Sequence, residues 1–521
     1  MYDPAQPYPS RRAPVAARNL VATSQPLAVQ AGLEALRRGG NAVDAALAAA
    51  ITLTIVEPTS NGIGADAFAI LWDGDQLIGI NGSGRAPAAW TRDYFAGRDH
   101  MPRFGWDAVT VPGAVSVWVA LSARYGQLPF EDLFKAAIDY AEEGYQVGPV
   151  TAYHWRNDAA LYQDYPAFVE HFLPAPQPGQ RVRLPAAART LRAIAASGGE
   201  SFYRGELAHQ IERAAIAGGG ALRVSDLAAH RADWVTPIAQ AYRTVALHEI
   251  PPNGQGLAAQ IALGILRQRE PLAPDSADGV HLQIEAMKIA LGAAAEHFAD
   301  PRAMRVTPEQ LLEPGSLARA AACIGRNAQA LPPVSLPLSH DTVYVTAADE
   351  HGMMVSFIQS NFYGFGSGIV VPDTGIALQN RGCGFTLDPS HPNCVAPGKR
   401  PFHTIIPGFV TEDSAPRLSF GVMGGHMQAQ GQVQMVTRLF DHGQNPQAAS
   451  DAPRWRVEPD FSVAVESSFD PAVAAELAAR GHTVHIDPSA RGFGGAQLIL
   501  ATDDGYVGGS DHRKEGLVAG F

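Results

Sequence analysis

The residue whose place in the chain points most directly to chemistry is Thr342. It opens the alternating run Thr-Val-Tyr-Val-Thr at residues 342–346, which on its own is typical of an ordinary β-strand. The preceding residues 331–340 contain three prolines and two serines, a composition typical of an exposed linker. A threonine inside the chain, at the junction of a linker and a strand, is what a self-cleaving nucleophile requires. The alternative interpretation is a plain interdomain loop followed by a strand threonine.

Other patterns that could carry chemistry are weaker. The glycine-rich residues 364–368 lack the Lys-Ser or Lys-Thr of a phosphate-binding loop, and no Gly-x-Ser-x-Gly nucleophile turn occurs. His281 and Glu285 share one helix face, but without a His-Glu-x-x-His motif we expect that face to be solvated. The three cysteines form no Cys-x-x-Cys pair. The sequence therefore predicts neither a metal ion nor a cofactor.

Short blocks along nearly the whole chain resemble, in order, those of γ-glutamyltransferases. Each block is weak alone, but eight of them lie in register. They are GGNAVDAA (39–46), EP (57–58), VPG (111–113), DT (341–342), GFGSG (364–368), GKRP (398–401), GG (424–425) and the terminal segment from GSD to GF (509–521).

This resemblance implies an α+β fold, the four-layer αββα sandwich of the N-terminal-nucleophile hydrolases. It implies that the proenzyme cuts itself between Asp341 and Thr342 and that the freed α-amino group then activates the threonine hydroxyl. The cut would leave a mostly helical large fragment, residues 1–341, and a strand-rich small fragment, residues 342–521, interleaved in one fold.

The resemblance also implies roles for three further residues. Gly424 and Gly425 match the pair whose backbone amides receive the oxyanion, because glycines let the backbone approach a tetrahedral intermediate closely. Without the family, the same two glycines would be interpreted as a tight turn. Ser360 matches a hydroxyl residue that forms a hydrogen bond near the nucleophile.

The departures from the family fall in the substrate pocket. γ-Glutamyltransferases hold the substrate α-amino group with an acidic residue in an Asn-Asn-x-Met-Asp-Asp-Phe segment, where residues 379–385 read Gln-Asn-Arg-Gly-Cys-Gly-Phe. Both acids are absent and Arg381 is added, so an ammonium group would meet no counter-charge. We therefore expect an anionic substrate that lacks an α-amino group.

Other positions in the pocket also differ from the family. The paired serines after Lys-Arg-Pro-x are replaced by His403 and Thr404, and Ser83 stands where the family has its carboxylate-binding arginine. Arg85 directly precedes Ala-Pro. We assign substrate binding to Arg85, Arg381, His403 and Thr404. These features resemble the branch that includes oxamate amidohydrolases, whose substrate is a small carboxylate bearing an adjacent amide.

Three other functions stay open at this point. The first is the ordinary family activity, hydrolysis or transfer of γ-glutamyl groups from glutathione. The second is cleavage of a glutaryl-type acyl amide. The third is not enzymatic: a relative that is never cleaved and only binds a small acid.

The elements that must position these residues are predicted from hydrophobic periodicity. Residues 25–56 indicate two helices separated at Gly39-Gly40, with Asn41 as the cap of the second and Asp44 three residues on. Residues 67–72 and 76–81 indicate a hairpin. The region from about 90 to 325 is predicted to be mostly helical, and the sequence beyond residue 331 to be rich in strands, among them residues 404–410.

The composition excludes several classes of protein. The chain of 521 residues is 46% hydrophobic and 17% charged, with a formal net charge of −12 and no basic run, so nucleic acid is excluded as a partner. The N-terminal residues show no signal-peptide pattern, and the apolar residues 45–56 are too few to span a bilayer. We expect a cytoplasmic protein whose partners are a small carboxylate amide and its own two fragments. A homo-oligomer is left open.

Overall fold

The computed structural model describes residues 12–334 and 341–521. The strands in these residues are β1 (Val15–Ala17), β2 (Leu20–Thr23), β3 (Asp66–Trp72), β4 (Leu77–Asn81), β5 (Tyr145–Gln146), β6 (Arg181–Val182), β7 (Asp233–Val235), β8 (Ile238–Tyr242), β9 (Val245–Glu249), β10 (Val343–Ala348), β11 (Met354–Ser360), β12 (Val370–Val371), β13 (Ile376–Ala377), β14 (Gly408–Glu412), β15 (Ala415–Val422), β16 (Trp455–Val457), β17 (Val463–Glu466), β18 (Val484–Asp487), β19 (Ala496–Thr502), β20 (Gly505–Ser510) and β21 (Leu517–Gly520).

The α-helices in the same residues are α1 (Pro26–Arg37), α2 (Ala42–Val56), α3 (Ala114–Tyr125), α4 (Lys135–Glu143), α5 (Pro149–Ala159), α6 (Pro166–Phe172), α7 (Pro185–Ala196), α8 (Glu200–Tyr203), α9 (Glu206–Ala217), α10 (Val224–Ala229), α11 (Gly256–Leu266), α12 (Ala277–His297), α13 (Pro308–Leu311), α14 (Pro314–Cys323), α15 (Met427–Phe440), α16 (Pro446–Asp451) and α17 (Pro471–Ala479). No helix in the described part of the chain is both long enough and apolar enough to cross a membrane.

Two seven-stranded antiparallel sheets form the centre of the fold. The first has the strand order β21-β2-β10-β11-β3-β4-β7, and the second has the order β1-β20-β19-β15-β14-β9-β8. Each sheet combines strands that precede residue 341 with strands that follow it. In the first sheet β10 lies between β2 and β11, and Val343 is opposite Gln359.

Alternation along the strands divides the core between the two faces of each sheet, because successive side chains point to opposite faces. In β3, Phe68 and Ile70 join the cluster between the sheets, whereas Ala67, Ala69 and Leu71 join the cluster under the helices. The two sheets also share polar contacts.

Helices cover both outer faces. Residues of α1, α2 and α3 pack on the first sheet, and residues of α11 and α15 pack on the second, while α4 packs on α2 and α12 packs on α11. Every residue of α2 is buried, which fits a helix that is apolar on all sides. Helix, sheet, sheet and helix layers together confirm the predicted four-layer αββα sandwich.

The predicted helix pair is confirmed with its caps. The side chain of Gln25 accepts from the amide of Leu27 at the start of α1. At the start of α2, Asn41 and Asp44 form a reciprocal capping box, in which each side chain accepts from the other residue's amide. Asp44 also accepts from the amides of Gln127 and Leu128, at 2.9 and 3.2 Å. The cap therefore fixes the connection after α3 as well.

One expectation about secondary structure is confirmed and another is wrong in part. The region from about 90 to 325 is mostly helical, and it also contains the short strands β5 to β9, whose few residues give too short a period-two pattern to stand out. The strand predicted at residues 404–410 begins at Gly408, because the backbone groups of Thr404 and Ile406 pair with glutamine side chains instead of a neighbouring strand. Of the predicted linker, residues 331–334 are described and residues 335–340 lie outside the described residues.

Two loops cross so closely that only glycine fits at the crossing. A Cβ atom on Gly113 would lie 1.5 Å from the carbonyl oxygen of Gly82, and one on Gly84 would lie 1.6 Å from that of Val111. The amides of Gly84 and Gly113 both donate to the carboxylate of Asp66, at 3.3 and 2.9 Å. The crossing thus forms a backbone cradle for an acid that starts a central strand.

We predict that Gly113→Ala lowers the free energy of unfolding by more than about 2 kcal/mol, because a backbone carbonyl cannot yield to the new methyl group. Gly113 has an ordinary φ of −109°, so the contact alone would cause the loss. The control is Gly292→Ala in α12, where a Cβ meets nothing within 4 Å and helix propensity predicts a gain of up to about 1 kcal/mol. Thermal and chemical unfolding would measure both, and a Gly113→Ala protein as stable as the parent would contradict the account.

Candidate active site

Thr342 lies immediately before β10 and is only 1% exposed. Its Oγ1 is 2.5 Å from the carbonyl oxygen of Asp341 and 3.2 Å from Oγ of Ser360. Ser360 ends β11, and the antiparallel pairing of β10 with β11 brings the two residues to the same end of the pair. The Ser360 hydroxyl also donates to the carbonyl of Asp341 at 3.1 Å. Two hydroxyl groups therefore converge on one peptide carbonyl.

Gly424 and Gly425 form the turn between β15 and α15. Their φ angles are +118° and +60°, a region in which residues with a Cβ are strained. The turn leads directly into the N-terminus of a 14-residue helix, where backbone amides are unpaired and negative charge is favoured. In the first turn of that helix the side-chain Nε2 of Gln428 donates to Thr342 Oγ1 at 3.5 Å, which ties the turn to the threonine.

A single glutamine connects this turn to the predicted substrate-binding segment. The side-chain amide of Gln255 donates to the carbonyl of Gly425 at 2.8 Å and to that of Thr404 at 2.6 Å. Thr404 in turn accepts from Nη1 of Arg381 at 2.8 Å through its hydroxyl. Arg381, Thr404 and the glycine turn are thus brought together in one buried group.

Arg381 is 1% exposed and lies in a short 3-10 turn, Arg381–Gly384. Its guanidinium stacks on the ring of Phe362 at 4.6 Å from the ring centre. Burial lowers the pKa of Arg381 to about 9, although the charge of Asp66 opposes this, so it remains a cation at neutral pH. Its Nε and Nη2 atoms have no hydrogen-bond acceptor among the described residues.

Asp66 is a residue of this group that was not predicted from the sequence. Its Oδ2 lies 3.1 Å from Nε2 of His403, and both residues are fully buried. Burial raises the pKa of Asp66 to about 7, although the charge of Arg381 acts in the opposite direction. The pKa of His403 lies well below its usual value, because burial and the positive charges of Arg381 and Arg400 all disfavour its protonated form. In a neutral His403, Nε2 is the donor to Asp66, because Nδ1 accepts from the amide of Ile405 at 3.4 Å. The sequence signal that could have identified Asp66 is an acid at the start of an otherwise apolar strand.

Within the described residues, the contacts of the Arg85 guanidinium are with acids and a loop carbonyl outside the group around Thr342. Its guanidinium lies 3.3 Å from the carboxylate of Asp233 and 3.6 Å from that of Asp300, and it also donates to the carbonyl of Gly398 at 3.4 Å. Asp233 is shared with Arg400 at 2.7 Å. These contacts use Arg85 in an ion-pair network on a partly exposed surface.

One group in the described chain has the residue types of a metal site, namely His281, Glu285 and His482. The predicted solvated face of α12 is wrong, because all three side chains are buried. Nδ1 of His281 lies 2.8 Å from Nε2 of His482, and Lys288 Nζ donates to Glu285 at 2.9 Å and contacts His482 at 3.2 Å. A metal ion could bind here only by displacing the lysine ammonium.

The sequence profile of the gamma-glutamyltranspeptidase family matches residues 28–521. The chain is 37% identical over 515 residues to the oxamate amidohydrolase proenzyme of Klebsiella pneumoniae, covering 95% of this chain and 97% of that protein. It is 34% identical over 525 residues to the glutathione hydrolase-like YwrD proenzyme of Bacillus subtilis, covering 97% and 99%. The crystal structure of cephalosporin acylase from Bacillus halodurans superposes with a TM-score of 0.97 at 47% identity, covering 100% and 99%.

The profile match covers more than nine-tenths of the chain, and the αββα layers agree with the superposed structure. The protein therefore belongs to the gamma-glutamyltranspeptidase family of N-terminal-nucleophile hydrolases.

Proposed function

We propose that the protein cuts itself between Asp341 and Thr342 and then uses Thr342 to hydrolyse the amide of a small carboxylate, with oxamate as the simplest example. The observation that carries the substrate class is the buried guanidinium of Arg381, whose Nε and Nη2 lack acceptors among the described residues. These two N–H groups point the same way and match the two oxygens of a carboxylate.

The first reaction in this proposal is an acyl shift within the chain. Oγ1 of Thr342 adds to the carbonyl carbon of Asp341, the C–N bond breaks, and the hydroxyl proton ends on the threonine nitrogen. Water then hydrolyses the ester, which restores the hydroxyl and leaves Asp341 as a C-terminal acid. The products are residues 1–341 and a second fragment of 521 − 341 = 180 residues.

The second reaction uses the amine that the first one frees. The α-amino group of Thr342 accepts the hydroxyl proton while Oγ1 attacks the amide carbon of the substrate. The amides at Gly424 and Gly425 receive the negative charge that develops on the amide oxygen. Ammonia leaves with the proton, and water releases the acid from the threonine ester.

Substrate binding is assigned to Arg381, with Thr404 and His403 as its neighbours. The hydroxyl of Thr404 holds one end of the guanidinium at 2.8 Å, which leaves its other edge for the substrate. His403 contacts Asp66, and we assign it to the substrate site beside Arg381 as a neutral side chain. Arg85 is left out of the proposed contacts, because its guanidinium faces Asp233 and Asp300.

The relatives support this proposal and also define its competitors. The match to the oxamate amidohydrolase proenzyme, at 37% identity, supports a small carboxylate amide. The glutathione hydrolase-like relative and the cephalosporin acylase structure keep γ-glutamyl and glutaryl-type amides as alternatives. A chain that is never cleaved and only binds a small acid is the non-enzymatic alternative. A cytoplasmic location stays a prediction from the sequence, and a homo-oligomer stays open.

We predict that Thr342→Ala abolishes both self-cleavage and turnover, because one hydroxyl performs both attacks. Thr342→Ser should cleave itself slowly, since it keeps the nucleophile but loses the methyl group that restricts its rotamer. A denaturing gel of each purified protein would show one band of 521 residues or two bands of 341 and 180. Two bands from Thr342→Ala would show that another residue is the nucleophile, and one band from the parent chain would favour the non-enzymatic alternative.

We predict that the processed protein prefers oxamate to glutathione, because Arg381 offers a charge to a carboxylate and both acids of the family's ammonium-binding segment are absent. A charge-assisted hydrogen bond contributes about 1.5 to 3 kcal/mol, so the preference in kcat/KM should be roughly tenfold to a hundredfold. Release of ammonia from oxamate would be compared with release of glutamate from glutathione, with a glutaryl amide as a third substrate. Efficient turnover of glutathione with inert oxamate would overturn the assignment.

We predict that Arg381→Ala lowers kcat/KM for the carboxylate amide roughly tenfold to a hundredfold while self-cleavage still occurs. Arg381→Lys should recover only part of the loss, since an ammonium keeps the charge but not the two-pronged geometry. Steady-state kinetics on the cleaved fraction would measure both, with Arg85→Ala as the matched control outside the proposed contacts. Equal effects of the Arg85 and Arg381 substitutions would contradict the assignment.

A further inference from the structure

The residue before the nucleophile, Asp341, is 2% exposed, and its side chain is held by several donors. Nε of Arg491 donates to Oδ1 at 3.0 Å, and Nη2 donates to Oδ2 at 2.6 Å. The amide of Gly364 donates to Oδ2 at 3.1 Å. Asp341 is thus fixed by a two-pronged ion pair together with a backbone hydrogen bond.

Arg491 is itself held from another side. Its Nη1 and Nη2 donate to the two carboxylate oxygens of Asp158 at 2.8 and 2.6 Å. Asp158 belongs to α5, and Arg491 belongs to the 3-10 turn Ala490–Phe493. Three segments distant in the chain therefore meet at the residue that precedes Thr342. We call Asp158, Arg491 and Asp341 the aspartate clamp.

The charges of the clamp keep Asp341 ionised. Burial alone would raise the pKa of Asp341, but the charge of Arg491 outweighs it and lowers the pKa. Burial raises the pKa of Asp158 to about 6, against its bonds to Arg491. At neutral pH both acids therefore share one guanidinium, and Lys514 contributes a further positive charge nearby.

The other end of Asp341 is the peptide carbonyl that Thr342 would attack. That oxygen lies 2.5 Å from Oγ1 of Thr342 and 3.1 Å from Oγ of Ser360. The side-chain carboxylate and the carbonyl of Asp341 are joined through one Cα atom, so fixing the carboxylate restricts rotation of the peptide. Attack by a neighbouring group is fast only when the reacting atoms are held in place.

We propose that Arg491, braced by Asp158, is the positioning residue of self-cleavage and holds the Asp341 carbonyl against the hydroxyl of Thr342. The inference rests on the proposed function, since it presumes cleavage at this bond. In the step that it serves, a bond forms between Thr342 Oγ1 and the carbonyl carbon, the C–N bond breaks, and the hydroxyl proton passes to the nitrogen. Arg491 exchanges no proton.

The test is the rate of self-cleavage in freshly synthesised protein. Cell-free synthesis would be stopped, and samples taken at intervals would be resolved on a denaturing gel. We expect Arg491→Met and Asp341→Asn each to slow the appearance of the 180-residue fragment at least tenfold. Arg491→Lys should recover part of the rate. Kinetics normalised to the cleaved fraction should give an unchanged kcat/KM in Arg491→Met, because Thr342 no longer depends on Asp341 once the bond is cut.

The matched control is Arg480→Met. Arg480 also binds two carboxylates, Asp278 at 2.7 Å and Glu476 at 3.2 Å, but within the described residues its side chain forms no hydrogen bond or ion pair with Asp341 or Thr342. This variant should cleave at the parental rate. Thermal unfolding of Arg491→Met and Arg480→Met, each in a Thr342→Ala background that stays uncleaved, would compare their stabilities.

The double variant Arg491→Met with Asp341→Asn tests whether the two residues affect self-cleavage through their shared contact. If the two residues act through one contact, the double variant cleaves no more slowly than the slower single variant. If the rate losses of the two single variants multiply in the double variant, or if Arg491→Met cleaves at the parental rate, the proposed role of Arg491 is wrong. Neither result would contradict the proposed function. Cleavage of Thr342→Ala would instead refute the proposed function itself.

Discussion

Burial of the peptide between Asp341 and Thr342 is the constraint on which the rest of the structure depends. Both residues are almost inaccessible, and they enter β10, an interior strand of the first sheet. Buried backbone and side-chain polar groups need partners, and here the partners are the reacting groups themselves: the hydroxyls of Thr342 and Ser360 on one carbonyl. Burial removes these polar groups from water, and the packed surroundings also restrict the Thr342 hydroxyl to one position.

Charge is distributed around this peptide in two different ways. On one side, Arg491 is fully engaged by two carboxylates, which is what a buried guanidinium normally requires. On the other side, Arg381 is equally buried, but within the described residues its guanidinium contacts the hydroxyl of Thr404 and the ring of Phe362 and forms no ion pair, although the charge of Asp66 lies nearby. A paired cation stabilises a fixed geometry, whereas an unpaired one favours an incoming anion. In the proposed function, this difference assigns Arg491 to holding the chain and Arg381 to binding the substrate.

Local signals predicted the parts of the fold that depend on neighbouring residues. The Gly39-Gly40 stop and the Asn41 cap delimit α1 and α2 correctly because turn and cap chemistry act within a few residues. Thr342, Ser360, Arg381 and the glycine turn were reached through family resemblance. In the structure Thr342 contacts Ser360, and the side chains of Thr404 and Gln255 connect Arg381 to the glycine turn. Arg491 could not be predicted, because its partners Asp158 and Asp341 lie far away in the chain, and the pairing of Asp66 with His403 could not be predicted for the same reason. Arg85 shows the reverse case, in which a charge close to a motif binds other acids instead.

The mixing of strands in the two sheets has a consequence for any break in the chain before β10. Strand β2 lies on one side of β10 and β11 lies on the other, while β9 and β14 pair in the second sheet. Two pieces divided at residue 341 would share both sheets and all of the cores between the layers. They could not diffuse apart without the loss of every layer, so the broken chain would melt as one cooperative body and a nick there would be invisible to size-exclusion chromatography under native conditions.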